Sequence, residues 1–274
     1  METLGMGPAL LFCPGDRPDR FQKAADRSDA VILDLEDAVG ADSKAAARAA
    51  IVEAGLDPEH TIVRVQAASA EGFEADLAAV AESPFRTVML AKTESVHDID
   101  RVVAAVRGVR VVALIETARG VLQAETIAAH AQVVGMMWGA EDLVASLGGT
   151  SSRSESGAYR DVAVQARSRV LLAAGAFGVT AIDAIRADIA DLDGAHAEAL
   201  DAAASGFSAK AAIHPNHIEP YRRAFAPTAE QLDEARRILA AAEVTPGVFS
   251  FEGRMVDEPI LRHARSVVAR ATQH

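Results

Sequence analysis

The chain has 274 residues, room for one large domain or two small ones, and a formal charge of -12 without a basic block, which excludes nucleic acid and anionic membranes as natural partners. Its single cysteine, Cys13, excludes an intrachain disulfide and a cysteine-based zinc cluster and suits a reducing cytoplasm. Apolar runs fall well short of the ~20 residues of a membrane span, and Met1 to Pro8 lacks the charged start and apolar core of a signal peptide, so a soluble cytoplasmic protein is expected.

In chain order, eight compact apolar segments predict buried strands: "ALLFCPG" from Ala9, "AVILDLED" from Ala30, "TIVRVQ" from Thr61, "TVMLAK" from Thr87, "RVVALIE" from Arg110, "QVVGMMWG" from Gln132, "TAIDA" from Thr180 and "AKAAIH" from Ala209. Continuous rather than alternating apolar character favours a parallel sheet covered on both faces. Between them, Ala-rich amphipathic stretches such as Arg17 to Arg27, Ser43 to Glu53, Phe73 to Ala81, Ser95 to Val106 and Gly120 to His130 predict helices. Strand starts recur about every 21 to 31 residues, the size of a strand-loop-helix unit, with one longer gap before the seventh. Eight units in a row predict a (β/α)8 TIM barrel over residues 1–242. An open doubly wound sheet is the alternative, but "CPGDRPDR" is not the Gly-rich phosphate turn expected after its first strand. The longer gap holds "GGTSSRSESG", Gly148 to Gly157, a flexible loop and lid candidate. Thr228 and Gln231 predict a capping box. Beyond Ala242 the pattern dissolves, and residues 243–274 are expected to form a C-terminal extension with a final helix starting near Pro259.

A barrel of this type carries its site where strands end. Those ends supply Glu36 and Asp37, Arg64, Lys92, Glu116, Glu141 and Asp142, Asp183 and His214. Converging carboxylates repel unless a cation sits among them, and a hard divalent ion with few protein oxygens fits Mg2+, with Mn2+ able to serve. Each residue also has a plainer role. Asp37 and Glu141 can be first-turn helix acids, Lys92 can pair with a rim carboxylate, and His214 before Pro215 can shape a turn. Glu116 is the hardest to explain structurally, because it ends a run as apolar as "VVALI".

The ordered combination of "LDLEDAV", "IVRVQA", "VMLAKTES", "ALIETARGVL", "VVGMMWGAEDLVASLGG", "GFSAKAAIHPNHI" and "FEGRMVDEP" resembles the HpcH/HpaI aldolase/citrate lyase family, in particular its stand-alone citrate lyase beta-subunit-like proteins. The resemblance spans nearly the whole chain and implies a (β/α)8 barrel. It implies Mg2+ ligands at Glu116 and Asp142, a substrate-binding arginine at Arg64, and acids at Glu36 and Asp37 that hold metal-bound water. Glu116 and the amides around Gly139, Ala140 and Glu141 would meet the substrate, its carboxylate lying at a helix start. Arg20 and Lys23 stand where relatives contact the phosphates of coenzyme A, although an exposed helix carries such residues for solvation alone. One departure is Gln66, where relatives have Asn two residues after the arginine.

The implied activity is cleavage or formation of a carbon-carbon bond in a short β-hydroxyacyl-CoA, malyl-CoA-like or citramalyl-CoA-like, giving acetyl-CoA and a 2-oxo acid such as glyoxylate, pyruvate or oxaloacetate. Asp257, in the tail motif of related lyases and synthases, would protonate the enolate from a neighbouring subunit, so the resemblance implies a swapped extension and a homotrimer or hexamer. Its plainer role is to cap the last helix. Alternatives are a citrate lyase beta subunit acting on citryl-acyl carrier protein, a metal-dependent aldolase of free hydroxy-oxo-acids, and a non-catalytic protein that binds a 2-oxo acid or coenzyme A.

Overall fold

Apolar runs buried on both faces can satisfy their backbone groups only by pairing side by side, and all eight do so in parallel. The structure, a computed structural model, describes residues 4–245 and 247–271. The first three residues of the stretch assessed for a signal peptide, and Pro246 and the last three of the extension, lie outside it.

Strands and helices alternate from Ala9 onward, with two helices in succession after the sixth strand. They run β1 (Ala9–Pro14), α1 (Pro18–Ala25), β2 (Ala30–Asp34), α2 (Lys44–Val52), β3 (Thr61–Val65), α3 (Phe73–Glu82), β4 (Thr87–Leu90) and α4 (Val96–Ala105). The second half continues with β5 (Arg110–Ile115), α5 (Ala118–Ala128), β6 (Val133–Trp138), α6 (Ala140–Ser146), α7 (Asp161–Phe177), β7 (Thr180–Asp183), α8 (Leu192–Ser205), β8 (Ala209–Ala212) and α9 (Ile218–Phe225). Pairing of β1 with both β2 and β8 closes the barrel, which settles the choice against an open sheet. Its interior is packed by Leu10, Ile32, Ile62, Met89, Val112, Leu114, Met137, Ile182 and Ala211. Large side chains on the early strands face alanines on β8, so the centre is filled rather than open.

Helix starts follow local chemistry. Ser95 and Asp98 form a capping box at α4, Thr117 caps α5, and Asp191 caps α8. Gly178 and Gly206 end α7 and α8 in left-handed conformations that a side chain would strain.

The chain divides into two compact units between Tyr221 and Arg222. The second comprises the end of α9, α10 (Ala229–Val244), β9 (Phe249–Phe251), β10 (Arg254–Val256) and α11 (Glu258–Ala271). Thus α10, which the sequence places with the barrel, falls in the tail unit. The expected capping box between Thr228 and Gln231 is present. Ala235, Ile238, Val256, Leu261, Ala264 and Val267 give this unit its own small core. It also holds a hairpin that the sequence pattern does not announce: β9 and β10 are antiparallel, joined at Glu252 and Gly253, whose φ angles of 49° and 79° suit a primed two-residue turn. No helix among the described residues is long and apolar enough to cross a membrane.

Candidate active site

Alternation along each strand decides which polar side chains enter the barrel mouth. On β2 and β3, Asp34 and Arg64 share the inward face of Ile32 and Ile62, and both line a cavity of about 240 Å³ with Glu116, Gly139, Ala140, Glu141 and Asp142. Phe12, Leu114, Met137, Ile185 and Ile213 form its apolar wall.

Arg64 is the most constrained of these groups. Its Nε and Nη2 donate to the two oxygens of Asp34 at 2.7 and 2.6 Å, its Nη1 lies 2.9 Å from Glu36, and its guanidinium stacks over the Phe12 ring. Burial opposes the charge, but Asp34 and the neighbouring acids hold the guanidinium well above its usual range. A fork engaged this way keeps two N–H donors uncommitted. Asp34 also accepts from the backbone N–H groups of Glu36 and Ala38, so one buried carboxylate shapes the β2 loop and aims the arginine.

Lys92 occupies the turn after β4. Its ammonium donates to Glu36 and lies 3.4 Å from Asp37 and 3.3 Å from Asp142, while its backbone N–H donates to Glu116 Oε1 at 3.1 Å. The expected pairing with a rim carboxylate is thus with three of them. Burial alone would depress this ammonium, but its bond to Glu36 and the fields of Glu116 and Asp142 raise it above the ordinary lysine range.

Glu116 directly follows β5 and is 3% exposed. Burial, and then the charges of Asp142 and Glu36, push its carboxyl up to about 8. Gly139 makes its position possible: a Cβ there would lie 2.7 Å from Glu116 Oε2 and 2.9 Å from Glu116 Cβ. Glu141 lies with Asp142 in the first turn of α6, as the helix-acid role requires, whereas Asp37 lies in the turn after β2 and not in a helix. Glu141 also accepts from Ser152 Oγ at 2.6 Å.

Five carboxyl groups, those of Asp34, Glu36, Asp37, Glu116 and Asp142, therefore gather around two cations, Arg64 and Lys92. Among the described residues no group of three or more His, Cys, Asp or Glu side chains is arranged to hold a metal unaided. Two carboxylates, Glu116 and Asp142, remain suitable for a hard divalent ion that fills its shell with water and substrate oxygens. The raised Glu116 carboxyl reflects its burial first and the charges of Asp142 and Glu36 second, and a bound cation would favour its ionised form.

The other residues singled out from the sequence fall elsewhere. Arg20 and Lys23 are exposed on α1 and do not line the cavity. Asp257 precedes α11 in the second unit and accepts from Ile260 N at 3.4 Å. His214 accepts from Asn216 N and shapes the turn after β8. Asp183 is not a mouth residue: it accepts from Trp138 Nε1, Arg167 Nε and Lys210 Nζ at 2.7, 2.9 and 2.8 Å, outside the cavity lining. The polar segment 148–157 has no helix or strand, yet it is anchored by buried Ser152 and by Arg153, which pairs with Glu198 and stacks on Tyr159. Gln66 Nε2 donates to Asp76 and does not line the cavity.

Comparison with known proteins agrees with this architecture. A model of the family "HpcH/HpaI aldolase/citrate lyase" matches residues 9–215. A citrate lyase subunit beta-like protein of Mycobacterium tuberculosis is 51% identical over 271 residues, 99% of this chain and 98% of that protein. A (3S)-malyl-CoA thioesterase of Cereibacter sphaeroides is 35% identical over 96% of this chain and 94% of its own, and human mitochondrial citramalyl-CoA lyase is 31% identical over 96% and 85%. The crystal structure of CitE from M. tuberculosis in complex with magnesium, acetoacetate and coenzyme A superposes with a TM-score of 0.92 at 50% identity, covering 98% of this chain and 99% of that one. A closed barrel with this match over most of its length belongs to the HpcH/HpaI aldolase/citrate lyase family.

Proposed function

We propose that this protein is a divalent-metal-dependent carbon-carbon lyase and synthase of short β-hydroxyacyl-CoA thioesters, of the malyl-CoA or citramalyl-CoA type, working in the cytoplasm. The observation that carries this reading is the convergence of Glu116, Asp142 and the clamped Arg64 on one small cavity with an opposing apolar wall. The ligands named for the M. tuberculosis structure, magnesium, acetoacetate and coenzyme A, and the thioester substrates named for the other relatives support it.

Glu116 and Asp142 would hold the ion, Mg2+ with Mn2+ as substitute. When bound, it supplies Lewis-acid polarisation of the substrate's hydroxyl and carboxylate oxygens. The uncommitted N–H donors of Arg64 bind the oxygen that becomes the carbonyl of the 2-oxo acid. Amides from Gly139 to Glu141 receive the substrate carboxylate at the start of α6. Glu36 and Asp37, steadied by Lys92, orient water beside the ion. Phe12, Leu114 and Ile213 exclude water from the breaking bond.

Cleavage passes the hydroxyl proton to the water held by Glu36 and Asp37, forms the carbonyl of the 2-oxo acid, breaks the bond between carbons 2 and 3, and moves that bond's electron pair into a thioester enolate. Asp257 protonates the enolate carbon to give acetyl-CoA. We assign it to the extension of a neighbouring subunit, in a homotrimer or a pair of trimers, and assign the coenzyme A phosphates to Arg20 and Lys23.

The test is a mass-spectrometric screen with Mg2+ against malyl-, citramalyl- and citryl-CoA, free hydroxy-oxo-acids and citryl-acyl carrier protein. Acetyl-CoA plus a 2-oxo acid is the expected product pair, abolished by chelation. Free coenzyme A plus intact hydroxy acid would indicate hydrolysis instead, and turnover undiminished by chelation would defeat the proposal. The same metal site predicts that Gly139→Ala, whose backbone angles of -123° and 121° tolerate a side chain, acts purely by collision with Glu116. It should weaken Mn2+ binding about tenfold with little change in fold, as read by Mn2+ titration and circular dichroism.

A further inference from the structure

We propose that Lys92 is a built-in counter-cation that competes with the divalent ion for Asp142, so that its ammonium sets how tightly the acid cluster binds metal. This rests on the metal site proposed above. Lys92 touches both proposed ligands through different atoms. Its backbone N–H holds Glu116 Oε1, and its ammonium stands 3.3 Å from Asp142 Oδ1.

The backbone at Lys92 has φ 49°, one of two left-handed non-glycine positions among the described residues. Glycine relieves such strain, so a long cationic side chain here points to a use for the charge. Its position suits a charge that can yield. Glu36, its nearest partner, is buried, whereas Asp142 is partly exposed. An ion held by Asp142 would be a close neighbour of the ammonium where it now stands, 3.3 Å from Asp142 Oδ1. The ammonium can keep Glu36 while giving up Asp142, and the metal must displace it to bind. Arg64 also contacts Glu36, so removing Lys92 does not strip that carboxylate of every cation.

Removing one positive charge at such a distance from a divalent ion changes affinity about tenfold even with water-like screening. The experiment is Mn2+ titration of the full-length protein by electron paramagnetic resonance, comparing wild type with Lys92→Met, Lys92→Gln and Lys92→Arg. The neutral variants should bind Mn2+ about tenfold more tightly, and Lys92→Arg should match wild type. A purely structural tie would instead leave affinity unchanged, or weaken it as Glu116 and Asp142 lost their support. Either result in folded protein overturns the proposal. Should Lys92→Met fail to fold, Lys92→Gln decides, since its amide is neutral and keeps a donor on the Glu36 side. If wild type binds no Mn2+, the metal site and this inference fall together; binding that ignores the charge at 92 removes this inference alone.

Discussion

Replacing Glu116 by Gln is expected to lower Mg2+-dependent turnover at least about a thousandfold and, at the same time, to stabilise the metal-free protein at alkaline pH. The first effect follows from deleting one of the two proposed charged ligands, since the several kcal/mol an ion contributes at a developing charge correspond to about three powers of ten or more. The second follows from linkage. An unfolded glutamate releases its proton near its ordinary value of 4.5, whereas buried Glu116 keeps it up to about 8. Between those values the folded state binds more protons than the unfolded one, so stability falls as pH rises. The contribution is complete below about 4.5 and lost by about 8. Gln cannot lose a proton and can still accept from the Lys92 N–H, so its stability lacks that slope. A gain of about 2 kcal/mol at pH 8 is expected, below the roughly 5 kcal/mol ceiling set by the shift, because the new amide group needs a partner beside Gly139. Urea melts at pH 5 and pH 8 with chelator present provide the measurement. Coincident slopes for the two proteins would show that Glu116 is not held protonated.

What the sequence made legible, and what it hid, divides along strand parity. Eight apolar runs and their spacing sufficed for the barrel, because a run buried on both faces has few other solutions. Glu116 stood out as an acid terminating such a run. The same continuity that marks a buried strand erases the alternation that tells inside from outside. Its strand-end position therefore points Asp183 to the mouth, although Ile182 takes the inward position and Asp183 turns to Lys210 and Arg167. Glu36 and Asp37 draw the eye in "LDLEDAV", yet the parity of Asp34 with Ile32 puts it inside, where it fixes Arg64. Such contacts as Ser152 with Glu141 join segments whose approach no local pattern encodes. The β9 and β10 strands, three residues each, were too short to register as a period.

Asp257→Asn is expected to reduce exchange of acetyl-CoA methyl protons with solvent at least about a thousandfold, within the range that loss of a positioned acid or base produces. The substitution is informative because Asp257 has two candidate roles with different chemical requirements. As the cap of α11 it needs only an acceptor oxygen for the Ile260 N–H, and Asn caps as well as Asp, so melting should shift by no more than about 0.5 kcal/mol. As a proton donor and acceptor it needs the carboxyl, which Asn lacks. Unchanged stability and Mn2+ affinity with lost exchange would thus isolate the acid-base role, whereas equal loss of metal binding would refute a division of labour between Asp257 and the Glu116–Asp142 pair. Mixing then separates a swapped tail from a tail that serves its own barrel. When Asp257→Asn and Glu116→Gln subunits are co-assembled, a barrel with intact Glu116 can receive an intact Asp257 only from its neighbour. Activity above that of either variant alone is expected, and its absence in verified mixed oligomers would place Asp257 in its own subunit's site or outside the chemistry.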